Sequence, residues 1–491
     1  MKTNLIGSLL LYLSLSMLSG CSTTFIDVKN PTAINTDDYF TDAISVKGAV
    51  NAAYSGLQAN YSPGGSGSAS LFLFTMTPSD DNGSGPDSQT TQDFDLFSVG
   101  PSNVNLVTWS SFYRTIAKCN LVISRTPAVQ MDEALKARYI AEVKFIRALT
   151  YFNLVRIWGD VPLVTKEITE ASEAYTYNRV SVDKVYEQII QDLKDAETAL
   201  PATFTGTELG RATSGSAKAI LGKVYLTRKD YALAATKLNE VITANTFSLL
   251  PNYTDIFPTT NEMNKEIIFA VRYTRGGVGE GSAFMFTFVP TGSASDSLVK
   301  SGRAFGMNYV TPDLFNAFTP GDKRKFASIG LNYLSTDVNR KTPSYYIKKY
   351  VDILQPVEGD AENDFIVIRH ADVLLMYAEA LNELGKTSDA EPFINQTLTR
   401  AGLPAITPGL SQTSFRLALE KERRLELCLE GHRWFDLLRT GRAIEVMNGH
   451  FTKYSITGPK GVVTIGPNNL LFPLPLYDIQ ANPALTQNPG Y

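Results

Sequence analysis

Apolar residues recur at three- and four-residue steps through several long stretches of this chain, which predicts amphipathic helices. Between Val104 and Ser124 the stripe is Trp109, Phe112, Tyr113, Ile116 and Cys119. Between Glu133 and Trp158 it is Leu135, Tyr139, Val143, Ile146, Leu149, Phe152 and Leu154. A third helix is expected from Ser181 to Leu200, with Ser181 at the N-cap and Pro201 as its stop. Two later segments read as helix pairs. Gly222 and Ala234 flank a turn at Lys229-Asp230, and Ala378 and Ala390 flank one at Gly385. Small residues at that spacing let two antiparallel helices approach closely, and recurring pairs favour stacked hairpins of tetratricopeptide type.

The stretches between are irregular. Tyr61 to Gly100 is rich in Gly, Ser, Asp and Pro, Thr274 to Gly306 mixes glycine with phenylalanine, and Asp352 to Asn363 is acidic. Loops of that length are more often functional than passive. Phe284-x-Phe286-x-Phe288 alternates, which would place the three rings on one side of a strand.

The N-terminus carries a different pattern. Lys2 precedes an apolar run from Leu5 to Leu18, and Leu18-Ser19-Gly20-Cys21 reads as a bacterial lipobox. The run falls short of the roughly 20 residues that span a bilayer. Residues 1–20 are therefore expected to be a lipoprotein signal peptide, with Cys21 as the lipidated first mature residue. Loss of Lys2 with the leader takes the formal charge from −4 to −5. A mildly acidic chain has no basic footprint for nucleic acid. Cys119 and Cys428 remain, and each falls inside a helical pattern, so buried free thiols are expected rather than a disulfide.

Catalytic signatures are sparse. The chain has three histidines, and it has no Cys-x-x-Cys, P-loop or dinucleotide fingerprint. No pair of carboxylates is singled out for sugar hydrolysis. Around Arg423, local ion pairs are expected from Glu420 to Arg423 and Arg424, from Glu430 to Arg433 and from Asp436 to Arg439, at helical spacing. That makes the motif scaffold rather than catalytic machinery. No cofactor is expected. Asp80-Asp81-Asn82-Gly83 leaves room for a structural calcium, but it equally reads as an ordinary turn.

An ordered set of motifs then resembles one family. Ala141-Glu142-Val143-Lys144-Phe145-Ile146-Arg147-Ala148-Leu149 leads into Trp158-Gly159-Asp160-Val161-Pro162. Further on come Ile368-Arg369-His370-Ala371-Asp372, Glu422-Arg423-Arg424-Leu425-Glu426, Glu430-Gly431-His432-Arg433-Trp434 and, last, Asn488-Pro489-Gly490-Tyr491. The whole chain thereby resembles the SusD/RagB outer-membrane nutrient-binding lipoproteins of Bacteroidetes. The resemblance implies a mainly α fold: an α-α superhelix of about four tetratricopeptide-like helix pairs with loop-rich elements packed on it. It implies one domain over 21–491, with an N-terminal region at about 22–230 and a C-terminal region at about 265–491. It also implies a lipid-anchored, non-enzymatic protein on the outer face of the outer membrane. Such a protein would bind an oligosaccharide, or alternatively a peptide, and pass it to a SusC-like TonB-dependent transporter; a surface glycoside hydrolase is the remaining, lesser alternative.

By position in the family, ligand contacts are expected from Phe72, Phe74, Asp80, Asp81, Asn82, Asp95 and Phe97, and from Arg272, Tyr273, Phe284, Phe286, Arg303 and Tyr309. Sugar sites need aromatic faces flanked by planar hydrogen-bonding groups. Trp109, Trp158 and Trp434 all fall in scaffold motifs, which leaves Phe and Tyr as the platform, or a ligand that needs no flat platform.

Overall fold

The computed structural model describes residues 39–61, 70–84, 89–290, 298–299, 304–332, 344–355, 357–458 and 461–491. Cys21 and the leader lie outside the described residues, as does Arg303. The scaffold is helical. Its long helices are α1 (Ala43–Tyr61), α2 (Thr108–Arg125), α3 (Glu133–Trp158), α4 (Val182–Ala199), α5 (Ser214–Thr227), α6 (Tyr231–Thr243), α7 (His370–Glu383), α8 (Thr387–Arg400), α9 (Gln412–Glu426), α10 (Arg433–Thr440) and α11 (Ala443–Tyr454). The first eight pack in four successive pairs, and each pair stacks on the next. The expected superhelix of about four helix pairs is therefore present. No described helix is long and apolar enough to cross a membrane.

Local chemistry sets the helix ends. Asp132 caps α3 by accepting from Leu135 N at 2.8 Å, and Gly159 ends it at φ +72°. Helix α3 is central rather than striped: from Tyr151 to Val155 every residue is buried, as are Glu142 and Arg147. Arg147 is neutralised there by Asp192 at 2.7 Å and donates to Asn120. Helix α2 begins later than its pattern suggests, because Val104–Val107 forms a 3-10 turn. Ser181 precedes α4 but its hydroxyl makes no cap; Asp160 Oδ1 accepts from Val182 N instead, at 2.9 Å. Both remaining cysteines are buried free thiols.

Gly222 fulfils the expectation of close helix approach. A Cβ built there would lie 2.7 Å from Leu238 Cγ across the α5–α6 contact. Gly222→Ala should cost about 1–3 kcal/mol through overpacking, despite alanine's better helix propensity. Urea unfolding monitored by circular dichroism measures this.

Between α6 and α7 the chain makes a long excursion. Its two ends pair antiparallel as strands Ile267–Val271 and Phe365–Arg369, both fully buried. Phe269 packs edge-on against Phe145 of α3 at 4.8 Å. The excursion is thus pinned to the stack at its base.

The charged motif is a scaffold device, but its pairing is mostly long-range rather than local. Glu420 binds Arg433 and Arg442; Arg423 binds Asp372 and Asp436; Arg424 binds Asp80, Asp81 and Asp313; Glu430 binds Lys349 and Arg369. Only Asp436–Arg439 follows the expected spacing, at 2.8 Å. The physical reason is the turn after Glu426, where Leu429 and Gly431 take φ of +66° and +80°, so Glu430 and Arg433 share no helix. Arg423 and Arg424 reach away from Glu420 to acids on other elements.

His432, in that turn, is buried and neutral. Burial, and then the Lys223 ammonium 2.9 Å from its Nδ1, push its pKa down from 6.5 to about 3. A base depressed in the fold contributes stability above its unfolded pKa and loses it as pH falls below 6.5. The stability difference between wild type and His432→Gln should therefore move about 2 kcal/mol in the variant's favour between pH 7 and pH 5. Denaturant melts at both pH values check it.

Candidate functional site

The two sequence segments expected to form a ligand surface do meet. Asn82–Ser84 (β1) pairs antiparallel with Asn308–Val310 (β2), Gly83 facing Tyr309. Ile329–Asn332 (β3) pairs with Ser344–Ile347 (β4), Gly330 facing Tyr346. Strand β4 also lies beside β2, so the two ladders form one layer.

Most of the expected contact residues point inward. Phe72 is buried edge-on to Phe288 at 5.2 Å, and Phe74 is buried among Phe94, Trp158 and Phe472. Asp80 and Asp81 are buried ion-pair partners: Asp80 accepts from Arg433 at 2.7 Å and Asp81 from Arg424 at 2.6 Å. Asn82 is buried in the β1–β2 ladder. Tyr273 is buried, and its hydroxyl donates to Gln58 O at 3.1 Å. Phe284–Phe288 is a short helix, not a strand. Its one turn sets Phe284 edge-on to Phe288 at 4.3 Å and sends Phe286 into a separate cluster with Met285, Val289 and Val299. The alternating pattern therefore reports burial on all sides. These eight residues are corrected from ligand contacts to core: a side chain with no exposed surface cannot stack on or bond a ligand, and Asp80 and Asp81 are spent on Arg433 and Arg424.

Four expected residues keep some exposure. Asp95 accepts from Ser84 N at 2.9 Å, and burial raises its pKa to about 6. Phe97 packs on Trp434 at 5.3 Å. Arg272 is clamped by Glu262 at 2.9 Å and Asp364 at 2.6 Å. Burial lifts those two carboxyls to about 8 and about 6, but they bracket one guanidinium instead of flanking an open cleft. Tyr309 faces outward.

The outward side of the layer has a repeated construction. Asn308 and Val310 are buried on one face of β2, so Tyr309 occupies the other. Ile347 is likewise buried on one face of β4, which puts Tyr346 opposite. Each tyrosine lies over its cross-strand glycine. A Cβ on Gly83 would sit 2.5 Å from Tyr309 Cζ, and one on Gly330 would sit 2.0 Å from Tyr346 Cζ. Only glycine lets the ring settle flat on the neighbouring strand, leaving its other face outward. The Tyr346 hydroxyl has no hydrogen-bond partner among the described residues. On the opposite, core-facing side of β4, Tyr345 stacks on Phe315 at 4.1 Å and 11°, with exposed Phe326 at their edge. Sequence reading missed Tyr345, Tyr346, Phe315 and Phe326. The available signal was the Tyr-Tyr pair in a short strand opposite an isolated Ile-Gly-Leu. No group of acidic, histidine or cysteine side chains able to hold a metal occurs among the described residues.

Comparison with known proteins places this architecture. Residues 322–491 match the SusD family, and residues 24–226 match a family described as starch-binding and associating with the outer membrane. A solved laminarin-binding SusD-like protein superposes with a TM-score of 0.77 at 31% identity, over 92% of this chain and 100% of that one. This chain belongs to the SusD family. A SusD-like protein of Formosa agariphila is 28% identical over 99% of both chains. Another from the same organism is 29% identical over 78% of this chain and 79% of its own length. The SusD-family scaffold thus accounts for the four helix pairs, and the layer carrying Tyr309 and Tyr346 is packed on it.

Proposed function

We propose that this SusD-family chain is a surface glycan-binding protein, tethered to the outer membrane by lipid on Cys21, that delivers oligosaccharide to a SusC-like TonB-dependent transporter. The observation that carries this reading is the pair of outward tyrosines laid over glycines. A flat ring with one open face stacks on the apolar face of a pyranose, and the Tyr346 hydroxyl offers a hydrogen bond to the sugar rim. The related laminarin-binding protein supports a β-glucan as the first ligand to test. Its relatives' glycan binding also supports a role without catalysis.

The test is calorimetric titration of the lipid-free mature chain with laminarihexaose, maltohexaose and a peptide digest, followed by chromatography of the recovered sugar. Heat from a hexasaccharide that is recovered intact is the expected result. Heat from peptides alone would move the chain to a peptide-capturing role, and shortened sugar would make it a hydrolase. Co-purification of native chain with a TonB-dependent barrel tests the delivery step.

A further inference from the structure

A cavity of about 400 Å³ opens elsewhere on the molecule and shares no residue with the tyrosine surface. Helix α2 supplies Trp109, Tyr113 and Arg114 to it; the turn after Ala171–Ala174 supplies Tyr175 and Tyr177; the C-terminal helix Leu476–Ala481 supplies Asp478. Its size falls within the range of small-molecule sites.

Three features show that this groove is more than a packing gap. Trp109 is only 3% exposed, yet its indole N–H has no hydrogen-bond partner among the described residues. Trp158, which packs against it edge-on at 5.2 Å, donates its own N–H to Pro473 O at 3.1 Å. That N–H is not sealed from solvent but opens into the groove, where a ligand acceptor can meet it. Asp478 is half-buried, and its carboxylate interacts with no side-chain donor, only with its own backbone N–H. The Arg114 guanidinium is exposed and has no partner among the described residues. Around these polar groups stand aromatic walls: Tyr175 is 54% exposed, Tyr177 is half-buried, and Tyr113 packs on Trp109 at 5.0 Å.

We infer that this groove is a second saccharide-binding site, separate from the tyrosine surface. A pyranose presents apolar C–H faces together with hydroxyls that both donate and accept. The groove offers ring faces, a carboxylate that accepts from paired hydroxyls, and two donors in the indole and the guanidinium. An aliphatic occupant would leave Asp478 and Trp109 desolvated and unmatched. The choice of sugar probe rests on the glycan reading above, but the site does not depend on Tyr309 or Tyr346.

The experiment uses the intact lipid-free chain and laminarihexaose, read by calorimetry and tryptophan fluorescence together. Of the three tryptophans Trp109 lines the groove, with Trp158 packed directly behind it, so an optical change reports on that pair and Trp109→Phe assigns it to the groove ring. In the Tyr309→Ala/Tyr346→Ala variant, a binding event with a fluorescence change should remain. Adding Tyr175→Ala, an exposed and foldable change, should weaken it at least tenfold; Asp478→Asn should weaken it too, and Trp109→Phe should remove the optical signal. Wild-type binding that vanishes wholly in the tyrosine variant overturns the groove alone. Residual binding indifferent to both Tyr175→Ala and Asp478→Asn also overturns it, as does displacement of the sugar by a peptide digest. Binding unchanged in the tyrosine variant but lost with Tyr175→Ala upholds the groove and overturns the tyrosine surface. A wild-type chain that gives no heat with the hexasaccharide overturns both.

Discussion

Replacing Tyr309 and Tyr346 together with alanine is expected to weaken hexasaccharide binding at the strand layer by about 30-fold or more. Removing a contact ring from a binding hot spot costs roughly 2 kcal/mol, and each 1.4 kcal/mol is tenfold in affinity. The folded state should be affected less than by a core truncation, because both side chains are only partly buried and lie over cross-strand glycines. The conservative change Tyr346→Phe keeps the ring and removes only the hydroxyl; it should cost about 1 kcal/mol. Gly330→Ala gives an independent readout. It leaves both tyrosines in place but lifts the Tyr346 ring off its strand, since the new Cβ would meet that ring at 2.0 Å. A double variant that binds as tightly as wild type would remove the strand layer from the site.

The second large effect is structural. Arg369 has no exposed surface and holds Glu266 at 2.8 Å, Glu426 at 2.6 Å and Glu430 at 2.8 Å. Arg324 joins Glu422 and Glu426 to Asp322, Arg400 binds Glu266 and Glu426, and Lys349 binds Glu430. Burial alone would raise the Glu426 carboxyl, but Arg400, Arg369 and Arg324 outweigh it and hold the group well below the ordinary carboxylate range. Arg369→Ala leaves Glu266, Glu426 and Glu430 each one cation short in the interior, and should destabilise the fold by about 3–5 kcal/mol. Urea unfolding measures it. Arg369→Met refills the volume without the charge and should do no better, because the deficit is electrostatic. A Met variant as stable as wild type would contradict this account. The sign with pH is fixed as well: a carboxyl depressed in the fold contributes stability above its unfolded pKa of 4.5 and loses it as pH falls below that value. The Arg369 variant should therefore lie closest to wild type in acid.

The helical scaffold was legible in the sequence because helix pairing leaves local marks. The Glu133–Trp158 stripe, the small residues Gly222 and Ala234, and the turn at Gly385 each act within one or two turns of chain. The site was only half legible. Family position identified the two segments that come together as β1 and β2, but not which side chains face out. Phe72, Phe74 and Phe284 have the composition of a sugar platform and the environment of a core, and periodicity cannot separate those cases over four or five residues. Asp80 and Asp81 look like a solvated turn until Arg424 and Arg433 arrive from more than 340 positions away. Tyr346 is the reverse case. Its role depends on a glycine in another strand, a pairing no linear pattern announces.

The excursion between α6 and α7 has a consequence for how this chain can change. Its ends meet in the buried pairing of Ile267–Val271 with Phe365–Arg369, so the helix stack sees the same two anchors whatever lies between them. Substitutions or insertions in the loops between Val271 and Phe365 alter β2, β3 and β4 without moving the register of α6 on α7, provided Arg324 and Lys349, which reach the buried glutamates of the scaffold, are kept. The strand layer is thus carried as a partly independent cassette, whose loops can be exchanged between relatives while the scaffold, including Gly83 beneath Tyr309, is inherited unchanged.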